Sequence, residues 1–458
     1  MRPVIGLEIH VQLGTRSRLF SSCPRATDTR AEPNALTDPV TLGLPGTLPA
    51  LNREAVTLAL RLGLAFGCEV SRRSEFDRKH YFYPDLPRNY QITQERRPLL
   101  TGGSIGDAIA VPLARCHLEE DAGRSTHVEG RTRVDFNRAG VGLLEIVTEP
   151  ALSDPAEAGA VLSSVRELAR WLDVNEGSLE EGQIRCDANV SLEGGARVEL
   201  KNLNSIRGVS RALASEIERQ RAVVAHGGTV SFETRGWDAD RGESYVQRSK
   251  EGFVDYRFLP EPDLGPLLVD ARWVEGVRRW MPELPAAVRR RWRDAGMAGE
   301  ACRVLSASRD RAAWVEFLLD AGAPAVQLGR WGAGELLRRA RDQGTDLSGL
   351  PYSARDLANL LGQVDRGIRS HSEARELLDA SDLARGLQTA PPAVPESIDE
   401  EALLQMLDRH PGQVAHYRAG KTGLLGWFVG EARRSLAGSP DPAALAASLR
   451  RLLSGDDR

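Results

Sequence analysis

The chain has 458 residues, of which 41% are hydrophobic, 27% charged and 5% aromatic, and its net charge is −4. That length is too great for one hydrophobic core and calls for about two to four domains, while the composition excludes wholesale disorder. No apolar run approaches the roughly 20 residues of a membrane span. The N-terminus, MRPVIGLEIH, reads directly into a strand with no signal pattern, and five scattered cysteines (23, 68, 116, 186, 302) form neither a disulfide framework nor a CxxC pair. The expectation is a soluble, cytoplasmic protein that does not associate with membranes.

The first elements are strand-rich and punctuated by Gly and Pro. Val4–Leu13 alternates strictly, with Ile5, Leu7, Ile9, Val11 and Leu13 on one face and Glu8, His10 and Gln12 on the other. A helix is predicted over about 53–66, with Asn52 as N-cap and Gly67 as stop. In RCHLEEDAG, an extended chain puts Arg115, His117, Glu119 and Asp121 on one face. A second helix is predicted over about 155–172, with Asp154, Pro155 and Glu157 as its starting signals. A hairpin follows, 184–192 and 196–203, turning at Glu193-Gly194-Gly195. Its first strand points Arg185, Asp187, Asn189 and Ser191 one way and Ile184, Cys186, Ala188, Val190 and Leu192 the other; its second offers Arg197, Glu199 and Lys201 on one face. A third helix, about 206–225, is capped by Ser205 and ended by Gly227-Gly228.

From about 285 the pattern changes to short amphipathic helices rich in Ala, Leu and Arg. A Pro-rich stretch, APPAVPE (390–396), reads as a linker. Beyond it, residues 410–455 carry six Lys/Arg against two Asp/Glu, a local basic module inside an acidic chain. The fold class is therefore α+β: a strand-rich N-terminal domain over 1–285, a helical domain over 286–390, a linker at 391–396, and a small helical tail over 397–458.

Of 60 basic residues only four are lysine: Lys79, Lys201, Lys250 and Lys421. Where arginine serves as the default cation, the few lysines mark places that need a compact ammonium. Carboxylate, imidazole, amide and cation together on three strand faces fit a site for a hard metal and phosphate. Covalent alternatives find no pattern. Gly420-Lys421-Thr422 lacks the upstream glycine and the preceding strand of a phosphate-binding loop. There is no GxGxxG, HExxH or GxSxG, and no cysteine is patterned as a nucleophile. An enzyme built on this chain works through charge and metal.

Ten blocks then occur in order: VIGLEIHVQL (4–13), TLGLPGTLPALN (41–52), FDRKHYFYPDLPRNYQIT (76–93), HLEEDAG (117–123), DFNRAGVGLLEIVTEP (135–150), EEGQIRCDANVSL (180–192), VELKNLNS (198–205), ETRGWD (233–238), RSKE (248–251) and DYRFLPEPDL (255–264). Together with MPELP (281–285) and HYRAGKTGLLGWFVG (416–430), they make the chain resemble, over nearly its whole length, the B-subunit family of the aspartyl/glutamyl-tRNA amidotransferases. The archaeal two-component relative, with its E-type chain, carries an extra domain before the helical region. The short interval between 264 and 281 leaves no room for one.

The resemblance implies ATP-dependent amidation of mischarged Glu-tRNA(Gln) or Asp-tRNA(Asn). In that reaction ATP phosphorylates the side-chain carboxylate, and ammonia from an amidase partner (the A-type chain) displaces the phosphate; a small C-type chain completes the complex. The strand-rich cradle is expected to hold ATP and Mg²⁺, and the helical and tail domains to grip tRNA. The expected catalytic residues are Glu8, His10, Glu119, Asp187 and Lys201. The direct or water-mediated Mg²⁺ shell is drawn from Glu8, His10, Glu119 and Asp187, with Glu145 and Glu199 as weaker members. Lys79, Arg185 and Lys201 are phosphate or carboxylate cations, and Asn189 and Asn202 are hydrogen-bonding partners. In the tail, Arg418, Lys421, Arg433 and Arg434 are expected at the tRNA backbone, with Tyr417 or Trp427 stacking. Many members bind zinc through four cysteines near the N-terminus. The matching positions here are Ser21, Cys23, Asp38 and Thr41, so zinc is expected to be absent, with packing and prolines holding loop 20–41. The rival expectation is a tRNA-binding scaffold paralogue without catalysis.

Overall fold

A computed structural model describes the chain except for residues 26–30, 107–109, 250–255, 380–382, 384–386, 388–398, 436–441 and 455–458. Lys250 and the linker at 391–396 lie outside the described residues. The chain forms two compact units, Met1–Arg290 and Arg291–Arg458. The architecture is α+β, with the strand-rich portion ending at Leu267–Leu268 and helices following.

The first unit is organised on a sheet with ten strands among the described residues. Pro3–Gln12 lies at its centre, antiparallel to Gly142–Thr148 on one side and Ile184–Leu192 on the other. Val111–Glu120 pairs with the outer edge of Gly142–Thr148, and Val198–Lys201 pairs with Ile184–Leu192. Beyond Val198–Lys201 come Glu233–Asp238, in the one parallel pairing described, and then Glu243–Ser249.

The alternating pattern decides what each face does. Ile5, Leu7, Ile9, Val11 and Leu13 are all fully buried, as are Cys186, Ala188 and Val190 of the neighbouring strand. Burying an aliphatic side chain contributes about 1.5–3 kcal/mol, so a one-residue slip, which would turn the whole row to the other face, is strongly disfavoured. Two helices, Pro155–Trp171 and Ile206–Ala225, pack together on this side. The first starts with the expected capping box of Asp154 and Glu157, and Ser205 caps the second through Gly208 N–H at 2.9 Å. Arg53–Ala65 starts from Asn52, whose Oδ1 accepts from Glu54 N–H at 2.9 Å. The opposite face of the sheet carries the polar residues. A smaller sheet of Asp77–His80, Tyr90–Thr93 and Leu259–Pro260 brings Lys79 to that side.

The four positions matched to the zinc ligands come together in another way. Ser21 Oγ lies 3.4 Å from Thr41 Oγ1, Cys23 N–H donates to Ser21 Oγ at 3.2 Å, and Thr41 N–H donates to Asp38 Oδ1 at 2.8 Å. Burial pushes the Cys23 thiol up, against the pull of Arg18. One protonated thiol, one carboxylate already accepting from Thr41 N–H, and two hydroxyls do not fit a structural zinc site. Hydrogen bonds, more than the expected prolines, tie this loop: the fully buried Arg18 guanidinium donates to the carbonyls of Leu36, Phe136 and Asn137.

The second unit is helical throughout its described residues. Near its end, Glu400–Asp408, Pro411–Arg418, Leu425–Ser435 and Pro442–Ser454 enclose a core of Leu403, Met406, Leu407, Phe428, Ala432, Leu445, Leu449 and Leu453. No helix among the described residues is long and apolar enough to cross a membrane.

Candidate active site

The register of the central sheet assembles the site. His10 lies opposite Arg185 on one side and Glu145 on the other, and Glu145 lies opposite His117. One residue row thus runs across four strands as Arg185, His10, Glu145 and His117. Glu8 lies opposite Asp187, and Asn189 opposite Glu199. The result is a cavity of about 380 Å³ lined by Glu8, His10, Glu119, Glu145, Asp187, Glu199, Lys201, Lys79, Arg185 and Asn189.

Asn202 goes elsewhere. Its backbone takes a positive φ of 66°, and it lines a separate cavity of about 350 Å³ with Trp237 and Tyr245. The main cavity also gathers Tyr81, Gln91, Asp121, Arg138, Arg197 and Tyr256. Alternation had put Asp121 and Arg197 on polar faces. Tyr81, Gln91, Arg138 and Tyr256 come from segments far apart in the chain, so spacing carried no signal for them.

Within the main cavity most charges have partners. Lys201 Nζ is 2.9 Å from Asp187 Oδ2 and 3.1 Å from Glu199 Oε1. Arg185 Nη2 donates to Asp121 Oδ2 at 2.7 Å, and Arg138 Nε is 3.5 Å from the same oxygen. Asn189 Nδ2 donates to Glu8 Oε1 at 2.9 Å. His10 Nε2 is 3.3 Å from Glu119 Oε1 and 3.4 Å from Glu145 Oε2. His117, almost fully buried, puts Nε2 at 3.4 Å from Glu145 Oε2, while its Nδ1 finds no partner among the described residues. Lys79 has no carboxylate at ion-pair distance among the described residues; its ammonium lies 5.0 Å from the centre of the Tyr256 ring.

The electrostatics follow from crowding and burial. Burial, then the neighbouring Glu145 and Glu199, raise the Glu8 pKa, against the Asn189 hydrogen bond. Burial opposes the charged form of His10, but Glu119 and Glu145 outweigh it and push its pKa up to about 10. Burial would raise Glu145 as well, yet His117 and His10 hold it well below the usual carboxylate range. Lys79 and Lys201 are both raised: burial opposes their charge, while Glu119 and Glu145 act on the first and Asp187 and Glu199 on the second. Both ammonium groups therefore stay charged at neutral pH.

The donor atoms of His10, Glu119 and Glu145 all lie within 4.8 Å of one another. Two carboxylates and an imidazole at that spacing, with the crowded Glu8 in the same cavity, fit a hard divalent cation that displaces the His10 proton; without one, the imidazolium itself bridges the two carboxylates. The same surroundings also supply five cations, Lys79, Arg138, Arg185, Arg197 and Lys201, of which Lys79, Lys201 and Arg185 are the ones expected at a polyanionic substrate.

In the tail, Phe428 is fully buried, with Tyr417 packed edge-on against it at 6.3 Å. Trp427 is 37% exposed. Lys421 and Arg434 are exposed, Arg434 pairing with Glu431 at 3.2 Å, and Arg418 Nε donates to Leu453 O at 3.0 Å. The Arg433 side chain lies outside the described residues.

An enzyme that works by charge on a polar sheet face is thus the class that fold and site define. Comparison with known proteins makes the assignment specific. Residues 3–275 match the GatB/GatE catalytic domain and residues 313–453 match the GatB domain. The chain is 41% identical to the B subunit of the aspartyl/glutamyl-tRNA(Asn/Gln) amidotransferase of Halorhodospira halophila, covering 99% of each chain. It is 41% identical to that of Myxococcus xanthus, covering 99% of this chain and 98% of the relative, and 41% identical to that of Moorella thermoacetica, covering 96% and 97%. The chain belongs to the B-subunit family of the aspartyl/glutamyl-tRNA(Asn/Gln) amidotransferases, ligases that form carbon–nitrogen bonds with glutamine as amide donor.

Proposed function

We propose that the cavity is where ATP phosphorylates the side-chain carboxylate of mischarged Glu-tRNA(Gln) or Asp-tRNA(Asn), and where ammonia then displaces phosphate from the acyl phosphate. A carboxylate alone is a poor electrophile because its leaving group would be oxide, and phosphorylation supplies a better one. Both reactants are anionic, so the chain's task is positioning and charge neutralisation with little covalent help.

The observation that carries this reading is the charge layout of one cavity. Lys79, Lys201 and Arg185 stand around a nest of carboxylates centred on His10, Glu119 and Glu145. Those three residues and Glu8 would hold Mg²⁺, with Asp187 and Glu199, already on Lys201, reaching it through water. When bound, the ion would neutralise phosphate charge. Lys79, lacking a carboxylate partner among the described residues, is the cation most available to the substrate carboxylate. Asn202 serves the nucleotide from the adjoining segment, where Trp237 and Tyr245 offer flat walls to a base.

In this reading residues 1–285 form the catalytic cradle. Residues 286–390 and the tail at 397–458, joined by the linker at 391–396, grip the tRNA. Tyr417, Arg418, Lys421, Trp427, Arg433 and Arg434 form the tail contact. The partners are the A-type amidase chain, which supplies ammonia, and the small C-type chain. The protein by itself is expected to have no glutaminase activity.

The test is Asp187→Ala in the assembled complex with mischarged tRNA, ATP, Mg²⁺ and glutamine. The variant should lose tRNA-dependent ATP hydrolysis while circular dichroism and assembly stay unchanged. Undiminished turnover would remove Asp187 from the site. Wild-type complexes that bind tRNA but consume no ATP would replace this reading with the non-catalytic scaffold.

A further inference from the structure

A small two-stranded ribbon, Arg124–Val128 paired with Arg131–Asp135, follows directly on the strand that carries Glu119 into the cavity. Its turn has positive φ at both Glu129 (51°) and Gly130 (71°), the mirror-image turn that matches the twist of a two-stranded hairpin. The base is fixed. Gly123 N–H donates to Asp85 O at 2.8 Å, and a side chain at Gly123 would meet Asp135 O at 2.9 Å. Asp135 Oδ1 accepts from the N–H groups of Asn34 and Asn137, each at 2.9 Å.

Register places Arg131 opposite Val128, Arg133 opposite Thr126 and Asp135 opposite Arg124. Directly paired residues share a face and neighbours along a strand alternate, so Arg124, Arg131 and Arg133 all point to one side. All three are exposed, and none makes an ion pair with a described residue. The one acid on their face, Asp135, is engaged by backbone amides. Arg124 also lines a cavity of about 660 Å³ together with Arg25, Arg138 and Arg185 and the acids Asp135, Glu180 and Glu181, and Arg138 and Arg185, both at Asp121, line the active cavity as well. Guanidinium groups therefore lead from the ribbon to the site.

We propose that this arginine face of the ribbon at 124–135 binds the sugar-phosphate backbone of the substrate tRNA next to its aminoacylated end, which extends the reading above and rests on it. Arginine presents a fork of donors matched to phosphate. Backbone contacts fix the register of a nucleic acid without apolar anchors. A protein partner of ordinary kind would want aromatic or large aliphatic residues at the centre of the patch, and Val128 is the only large apolar residue on this face.

The experiment is the double variant Arg131→Gln/Arg133→Gln in the assembled complex, probed with a deacylated tRNA(Gln) transcript across a salt series. Both residues are exposed, so the melting temperature should not move. The dissociation constant should rise about tenfold near physiological salt. The slope of log affinity against log salt should shallow by about 1.5, since each lost phosphate contact removes roughly 0.7–0.9. Unchanged affinity and slope, with wild type binding normally, would overturn the ribbon's role and leave the functional reading standing. Loss of assembly with the partner chains would overturn it in favour of an acidic protein surface. Absence of salt-dependent tRNA binding by the wild-type complex would sink both.

Discussion

In the strand-rich unit, Glu8 faces Glu145, Glu199 and Asp187 inside a buried cavity, and burial with those neighbours raises its pKa. In the helical unit, Glu335 lies 2.6 Å from Arg338 Nη2 and 2.7 Å from Arg339 Nε. The hydrogen bond from Arg338 foremost, with that from Arg339, holds the carboxyl of Glu335 below the usual range. Asp379, 2.6 Å from Arg339 Nη1, is lowered in the same way. Exposed pairs of this second kind are screened by solvent and leave nothing unsatisfied. The first arrangement is tolerated because a packed sheet holds it and because Lys201 and Asn189 engage the neighbouring carboxylates. Where carboxylates are crowded the molecule gives up stability for chemistry; where they are matched to arginine it keeps it.

The largest expected effect breaks that contrast at its centre. Glu8→Gln should cut tRNA-dependent ATP turnover at least about a hundredfold, as expected for a lost charge-stabilising group. It should also raise the melting temperature of the ligand-free protein by about 2 °C, because the like-charge penalty goes with the charge. Calorimetry and turnover on one preparation decide it. A lower melting temperature would mean that the Asn189 hydrogen bond outweighs the crowding.

A smaller effect separates chemistry from grip. Removing residues 397–458 should raise KM for tRNA about tenfold and change kcat by less than about twofold, since phosphate contacts add affinity away from the reacting centre. Equal tRNA affinity in the truncated protein would count against a tail contact.

The smallest effect lies on the matched side. The folded pKa of Glu335 is below its unfolded value, so its contribution is present above the ordinary carboxylate range near 4.5 and is lost as pH falls through the folded pKa. Glu335→Gln should melt about 1 °C below wild type at pH 7, with the gap narrowing as pH falls below the ordinary carboxylate range. A gap that persists in acid would make the residue's role one of packing.

Much of this was legible in the sequence because a strand has a period of two. Glu8 and His10 against Ile5, Leu7, Ile9 and Val11 read as one polar and one buried face, and the structure has that arrangement. Asn52, Asp154 and Ser205 marked their helix starts because each presents a short acceptor at the N-cap. What spacing could not give was convergence between distant segments. Tyr81 and Tyr256, far apart in the chain, both line the cavity with their ring centres 6.2 Å apart. Asn202 left the expected cavity because it follows Lys201, where a period of two already turns it to the other side, and the strand ends there in a left-handed backbone position. The Arg138–Asp121–Arg185 cluster joins a turn, a strand end and a hairpin, a meeting that no local pattern encodes.

The cross-strand row of Arg185, His10, Glu145 and His117 has one more consequence. Its members are set side by side by the same pairing that seals the aliphatic row beneath them. A misaligned sheet would scatter the cavity's charged groups and expose apolar surface in the same stroke. Such a chain would be recognisable to chaperones and proteases as unfinished before it met a substrate. Quality control of the fold therefore doubles as quality control of the chemistry, and little of this protein can persist in a cell as a well-folded molecule with a misassembled centre.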